Sequence, residues 1–197
     1  SLAQEAPSIR FAFELPGPDS QIALGNGDLD LMLTPEVFVH PDHPYELVFE
    51  ERHVTVASLD NPMVEDGLSR STFVNSGHVG VSVARKHTFA EEWFSRHGVE
   101  RRIEVRAPSF IQAPFLVPGT MRLCVMHERL AHYMAQLLPL KILETPFPIP
   151  PMREMVQFHA TREADPGLQW LRQKIGAMAS RSQVSPASAA ATGTGRE

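Results

Sequence analysis

Residues Arg85, Lys86, His87 and Thr88 lie where an alternating apolar run ends and a helix-start signal begins. Two cations, the free N–H groups of a helix start and the positive end of its dipole would converge there, an arrangement that favours an anion. An aromatic carboxylate or a phenolate fits that chemistry. A second helix start, Pro108-Ser109-Phe110-Ile111-Gln112, offers a hydroxyl, an amide and apolar walls. The candidate ligand-binding set is therefore Arg85, His87, Thr88, Ser109, Phe110, Ile111 and Gln112, with Met126 at the end of the strand that follows. The same residues also read as plain structure. Thr88 with Glu91, and Ser109 with Gln112, have capping-box spacing, and a cap alone stabilises a helix by about 1 kcal/mol. Arg85 and Lys86 would then be solvated, and Phe110 and Phe115 would be core. Both readings stay open at this point.

Other reactive pairs carry less. His40-Pro41-Asp42-His43 has metal-binding residue types but no third placed ligand, and its prolines indicate a surface loop. Cys124 and His127 could act as nucleophile and base, yet Cys124 stands between Leu123 and Val125 in an apolar run, which points to a buried structural cysteine. No Gly-x-Ser-x-Gly, phosphate-loop or HExxH motif occurs, and Gly77-His78-Val79-Gly80 belongs to a strand rather than opening a helix. A binding protein without catalytic residues, metal or cofactor is expected, rather than an enzyme.

The 197 residues, 43% of them hydrophobic, suffice for one large domain or two smaller lobes. Net charge is -5, and no stripe of Lys and Arg offers itself to phosphates. Arg101, Arg102 and Arg106 alternate with Ile103 and Val105, as on the wet face of a strand, so these residues alone should bind DNA poorly. A single cysteine fits a reducing, cytoplasmic setting. No apolar stretch approaches the ~20 residues of a membrane span, and no membrane partner is expected.

The elements that would position these groups follow βαβ grammar. Ile9 to Leu15 alternates like a strand, Ser20 can cap a short helix ended by Gly25-Asn26-Gly27, and Asp28 to Leu33 begins another strand. Glu46 to Ser58 is extended. Strands are then expected at His78 to Val83, Arg101 to Arg106, Met121 to Met126 and Leu140 to Leu143. Between them lie helices starting at Thr88 and Ser109 and one carrying Leu130, Met134, Leu137 and Leu138. Successive right-handed βα units make a parallel sheet and bring both capped helix starts to one edge, where ligands bind. Four prolines between Thr145 and Pro151 mark a stiff crossing. Asp165-Pro166 then opens a helix with Leu168, Leu171, Ile175 and Met178 inward. The expected division is residues 1–58 with 146–180 as lobe I, 59–145 as lobe II and 181–197 as a disordered tail.

Several phrases, in this order and spacing, are distinctive: Gly27-Asp28-Leu29-Asp30-Leu31, Leu47-Val48-Phe49-Glu50-Glu51, Glu92-Trp93-Phe94-Ser95-Arg96-His97-Gly98, Pro118-Gly119-Thr120, and Asp165-Pro166-Gly167-Leu168-Gln169-Trp170-Leu171-Arg172. Together they resemble the effector-binding domain of LysR-type transcriptional regulators. The Glu-Trp-Phe and Trp-Leu-Arg phrases are most similar to the branch of nodulation regulators, which answer flavonoids, and of regulators of nitro- and chloroaromatic breakdown. The resemblance implies an α/β, two-lobed, type 2 periplasmic-binding-protein-like fold, each lobe a Rossmann-like sheet with flanking helices, joined by two crossover segments. It also implies a small aromatic effector in the interlobe cleft, DNA contact through a winged helix-turn-helix absent from these residues, and assembly as homodimers or homotetramers. The domain's own first strand is expected to be missing, Ser1 to Pro7 corresponding to the last turn of the helix after it. A secreted solute-binding protein of a transporter would share the fold and is the rival reading.

Overall fold

Six consecutive residues, His53–Ser58, are all buried, which in a strand calls for cover on both faces. The computed structural model, which describes residues 2–17, 19–83 and 86–181 (backbone alone at 181), shows how that cover arises. In chain order the strands are β1 (Met32–Pro35), β2 (Tyr45–Glu51), β3 (His53–Ser58), β4 (Gly77–Val83), β5 (Lys86–His87), β6 (Arg102–Ala107), β7 (Leu123–His127), β8 (Leu140–Glu144) and β9 (Met152–Gln157). The helices are α1 (Leu2–Glu5), α2 (Ser20–Asn26), α3 (Arg70–Asn75), α4 (Phe89–Arg96), α5 (Glu128–Met134) and α6 (Pro166–Arg181).

The strands form two sheets. The smaller is antiparallel, in the order β1-β9-β2. In the larger, β3 lies between β7 and β8, antiparallel to both, and β4 lies beyond β7, parallel to it and to β6; β5 folds back on the end of β4. The expected parallel sheet is thus mixed, because β3 enters from the other lobe and separates β7 from β8. The larger sheet begins at His53, ahead of the boundary expected after residue 58. The chain passes between sheets twice, at Arg52 and through residues 145–151, and both passages leave the adjacent strands β3 and β8.

One face of the larger sheet packs Val54, Val56, Val79, Val81, Cys124 and Met126 against Ala131 and Met134. The other packs Ala57, Leu123, Val125 and Leu143 against Val64, Phe73, Ala90 and Phe94. Helix α4 starts at Thr88, whose side chain accepts from the Glu91 backbone N–H, and is followed by Gly98 at φ +64°, the left-handed value that suits glycine. Helix α6 starts at Asp165, whose carboxylate accepts from the Leu168 N–H at 3.0 Å, with Pro166 as first residue.

Several expectations change. Residues 9–15 form no strand, and Phe13 is 91% exposed; alternation makes a strand only where another edge can pair with it, and none runs beside this segment. Strand β1 starts at Met32, four residues later than the Asp28 start. Ser109 caps only a turn, since Pro114 sits inside the 3₁₀ helix Ala113–Leu116 that replaces the expected α-helix. Helix α5 ends at Met134, leaving Leu137 exposed, and on α6 Ala179 rather than Met178 faces inward. Phe115 is exposed, not core. The expected tail, apart from Arg181, lies outside the described residues.

Phe73 anchors the second face. It has no exposed surface, and its ring meets those of His78 at 4.6 Å, Phe147 at 5.3 Å and Phe94 at 5.7 Å. Phe73→Ala should lower unfolding free energy by about 3–5 kcal/mol, seen as a lower urea midpoint with an unchanged slope.

Candidate functional site

The two passages between sheets run side by side, and charged groups tie them together. Arg52 Nη2 donates to both carboxylate oxygens of Glu144, at 2.9 and 2.7 Å, and Arg52 Nη1 donates to Glu128 at 3.2 Å. Glu51, 4% exposed, accepts from the Arg129 backbone N–H at 3.1 Å and lies 3.2 Å from Arg129 Nε. The Arg129 guanidinium stacks 4.4 Å above Phe49. Between the sheets these passages leave a cleft of about 370 Å³, within the size range of small-molecule sites.

The wall from the larger sheet presents the rings of Phe110, His127 and Phe89, with the buried His53 linking them from behind. Phe110 lies 4.2 Å from His127, His127 lies 5.2 Å from His53, and His53 stacks 5.6 Å from Phe89. His53 and His127 are cross-strand partners of β3 and β7, so they stand side by side. Burial holds His127 at about 4; burial, then the nearness of His127, holds His53 at about 3. Both rings are therefore neutral near pH 7. Neither nitrogen of His53 has a hydrogen-bond partner among the described residues. The facing wall comes from α2 (Ser20, Gln21), β1 (Met32, Thr34), Phe38 and β9 (Met152, Glu154). Burial, and then the charge of Glu51, pushes the Glu154 carboxyl up to about 7.

Of the residues singled out from sequence, His87, Thr88 and Phe110 line this cleft. Lys86 and His87 are exposed at its rim, with His87 Nδ1 3.8 Å from Glu92. Arg85 lies outside the described residues. Ser109 and Gln112 are occupied with each other, the Ser109 hydroxyl accepting the Gln112 N–H at 3.2 Å, and neither lines the cleft. Ile111 points to solvent, and Met126 is fully buried in the core because β7 runs through the centre of its sheet. Cys124 is fully buried, its thiol pushed up to about 12 by desolvation. His40, His43 and His159 gather with ring centres 5.2 and 4.6 Å apart, but no group of described residues has a metal-holding arrangement.

Sequence reasoning missed Phe38, Phe89, Met152, Glu154 and the place of His127 in the cleft wall. Only Glu154 left a trace, as an acidic residue inside an apolar strand, Met152–Gln157.

The model of the LysR substrate binding domain matches residues 1–180. Nodulation protein D 2 of Rhizobium tropici is 37% identical over 175 residues, 88% of this chain and 55% of that protein. Nodulation protein D 1 of Bradyrhizobium japonicum is 36% identical over 174 residues, 87% of this chain and 54% of that protein. The chain spans about half the length of these curated relatives. Among solved structures, the regulatory domain of MexT, a transcriptional activator in Pseudomonas aeruginosa, superposes with a TM-score of 0.75 at 18% identity, over 89% of this chain and 88% of that one. The regulatory domain of Synechocystis CcmR, in complex with 2-PG, does so with a TM-score of 0.72 at 18% identity, over 90% and 87%.

The ring wall makes a pH dependence. His53 and His127 bind protons in the unfolded chain near 6.5 but resist them when folded. Their contribution to stability is therefore complete above about pH 6.5 and is lost as pH falls toward about 4 and 3. Glu154 acts oppositely: the fold keeps a proton that the unfolded chain releases above 4.5, so stability falls as pH rises from there to about 7. In His53→Phe, which keeps a ring but cannot titrate, the loss of stability between about pH 7 and about pH 5 should shrink by about 2 kcal/mol. Urea midpoints across that range read it directly.

Proposed function

Because the chain belongs to the LysR substrate binding domain family, we propose that it senses a small aromatic effector in its interlobe cleft on behalf of a DNA-binding transcriptional regulator. Its α/β fold is the two-lobed, periplasmic-binding-protein-like one of LysR effector-binding domains. The observation that carries the aromatic reading is the wall of Phe110, His127 and Phe89, backed by the buried ring of His53 and faced by Phe38, Met32 and Met152. Flat rings stack on such a surface with little loss of conformational freedom. Chlorophenols, nitroaromatics and flavonoids are the classes proposed. The nodulation protein relatives fit the same reading.

In this proposal, contact with DNA falls to a winged helix-turn-helix outside these residues, consistent with their net charge of -5. The whole regulator works in the cytoplasm as a homodimer or homotetramer. An effector gripped by both walls binds one arrangement of the lobes more tightly than another, and that difference is the whole of its power to shift them. The passages at Arg52 and residues 145–151 are where the lobes turn.

A thermal-shift screen with flavonoids, chlorophenols and nitroaromatic acids should raise the melting temperature of the chain. Phe110→Ala should weaken the best of these by about tenfold, the loss of roughly one ring contact. A screen in which amino acids or sugars stabilise the chain and every aromatic fails would sink the aromatic assignment.

A further inference from the structure

Several polar side chains in the cleft wall are already committed. The Ser20 hydroxyl takes the Gly17 N–H at 2.8 Å, the Gln21 amide donates to the Phe38 carbonyl at 2.7 Å, and the Thr88 hydroxyl caps α4. Glu154 differs. Its half-buried carboxyl lines the cleft, and no hydrogen bond or ion pair from any described residue reaches it. The carboxylate beside it, Glu51, is satisfied by Arg129. The next cation along its own strand, Arg153, turns to Glu36 at 2.6 Å and to Glu50 at 4.0 Å.

A half-buried carboxyl with a like charge as neighbour and no donor among the described residues either holds a proton or needs a donor from elsewhere. In a cleft, the ligand is that donor. We infer that Glu154 is the specificity-determining acceptor of this cleft, taking the O–H of a neutral, hydroxyl-bearing aromatic and discriminating against aromatic carboxylates. The inference rests on the aromatic reading above and goes beyond it by fixing which polar group the cleft selects. A hydroxyl donating to an ionised carboxylate makes a short, charge-assisted bond. A ligand carboxylate at the same place would add a third negative group to Glu154 and Glu51, and could enter only with an extra proton.

The groups facing Glu154 are Glu51 from β2, with Arg129 behind it, His127 from β7 across the cleft, and Lys86 and His87 from β5 at the rim. Lys86 and His87 are exposed, so solvent weakens their pull on an anion. His127 stays neutral above about pH 4. Affinity for a hydroxylated aromatic should therefore follow the ionisation of Glu154 and rise with pH through about 7.

Three bicyclic probes of matched size test this: naphthalene, 2-naphthol and 2-naphthoate, titrated calorimetrically against the chain and its Glu154→Gln variant from about pH 6 to about pH 8. The expected result is 2-naphthol bound about tenfold or more tightly than 2-naphthoate by the unaltered chain, with affinity rising over this range. In Glu154→Gln, the preference should fall to about threefold or less and the pH dependence should flatten. An unchanged preference in the variant, or a preference for 2-naphthoate in the unaltered chain, overturns the inference while binding of naphthalene leaves the aromatic reading standing. Should none of the three bind, the inference fails, and the thermal-shift screen decides the aromatic reading separately. The pH profile of the unaltered chain is an independent test if the variant does not fold.

Discussion

Strand β3 is paired along both edges, by β7 and by β8, and the arrangement of the molecule depends on that double pairing. Because β3 and β8 are neighbours in one sheet while β2 and β9 are neighbours in the other, the two passages between sheets run side by side. Two adjacent strands can bend together where two distant ones would lock the lobes. The charges at Arg52, Glu144, Glu128, Glu51 and Arg129 then hold the bend in register. Thr55 and Thr145, 3.0 Å apart through their hydroxyls, join the two strands just beyond it.

The same pairing sets the chemistry of the cleft. It places His53 at the first position of β3 directly opposite His127 at the last position of β7, so two imidazoles share one patch of surface. Desolvation outweighs everything else there, and both rings are neutral. A neutral imidazole next to Phe110 and Phe89 behaves as one more aromatic ring that keeps a donor and an acceptor. Across the cleft, desolvation works on an acid instead and pushes Glu154 toward its protonated form. Burial therefore disfavours charge on both walls at once, while among the described cleft-lining residues the cation Lys86 stands exposed at the rim.

Of the anion site that Arg85, Lys86, His87 and Thr88 suggested, Lys86, His87 and Thr88 line the cleft and Arg85 lies outside the described residues. The helix start is real, with Thr88 capping α4 at the cleft edge. The second helix start was misread because Ser109 and Gln112 have the spacing of a capping box and also of a simple turn; Pro114 decides for the turn by ending the backbone pattern early. Similarly, the alternation of residues 9–15 is a real property of the sequence that becomes a strand only beside a free edge.

The sequence by itself determined the local elements and the family. Periodicity located β3, β4, β6, β7 and β8 within a residue or two, caps located α4 and α6, and a series of phrases spread along the chain identified the LysR type. These signals are local, or are kept in order along the chain, and can be read without knowing what packs on what. The tertiary structure alone decided that β3 crosses into the larger sheet, and with it that His127, Phe89 and Glu154 line one cleft with His53 packed against the first two. Those four residues are separated by up to about a hundred positions in the chain, and only Glu154, an acid inside an apolar strand, carries a mark of its own. Strand pairing brings them together, and the loss of water at that junction gives each its chemical character.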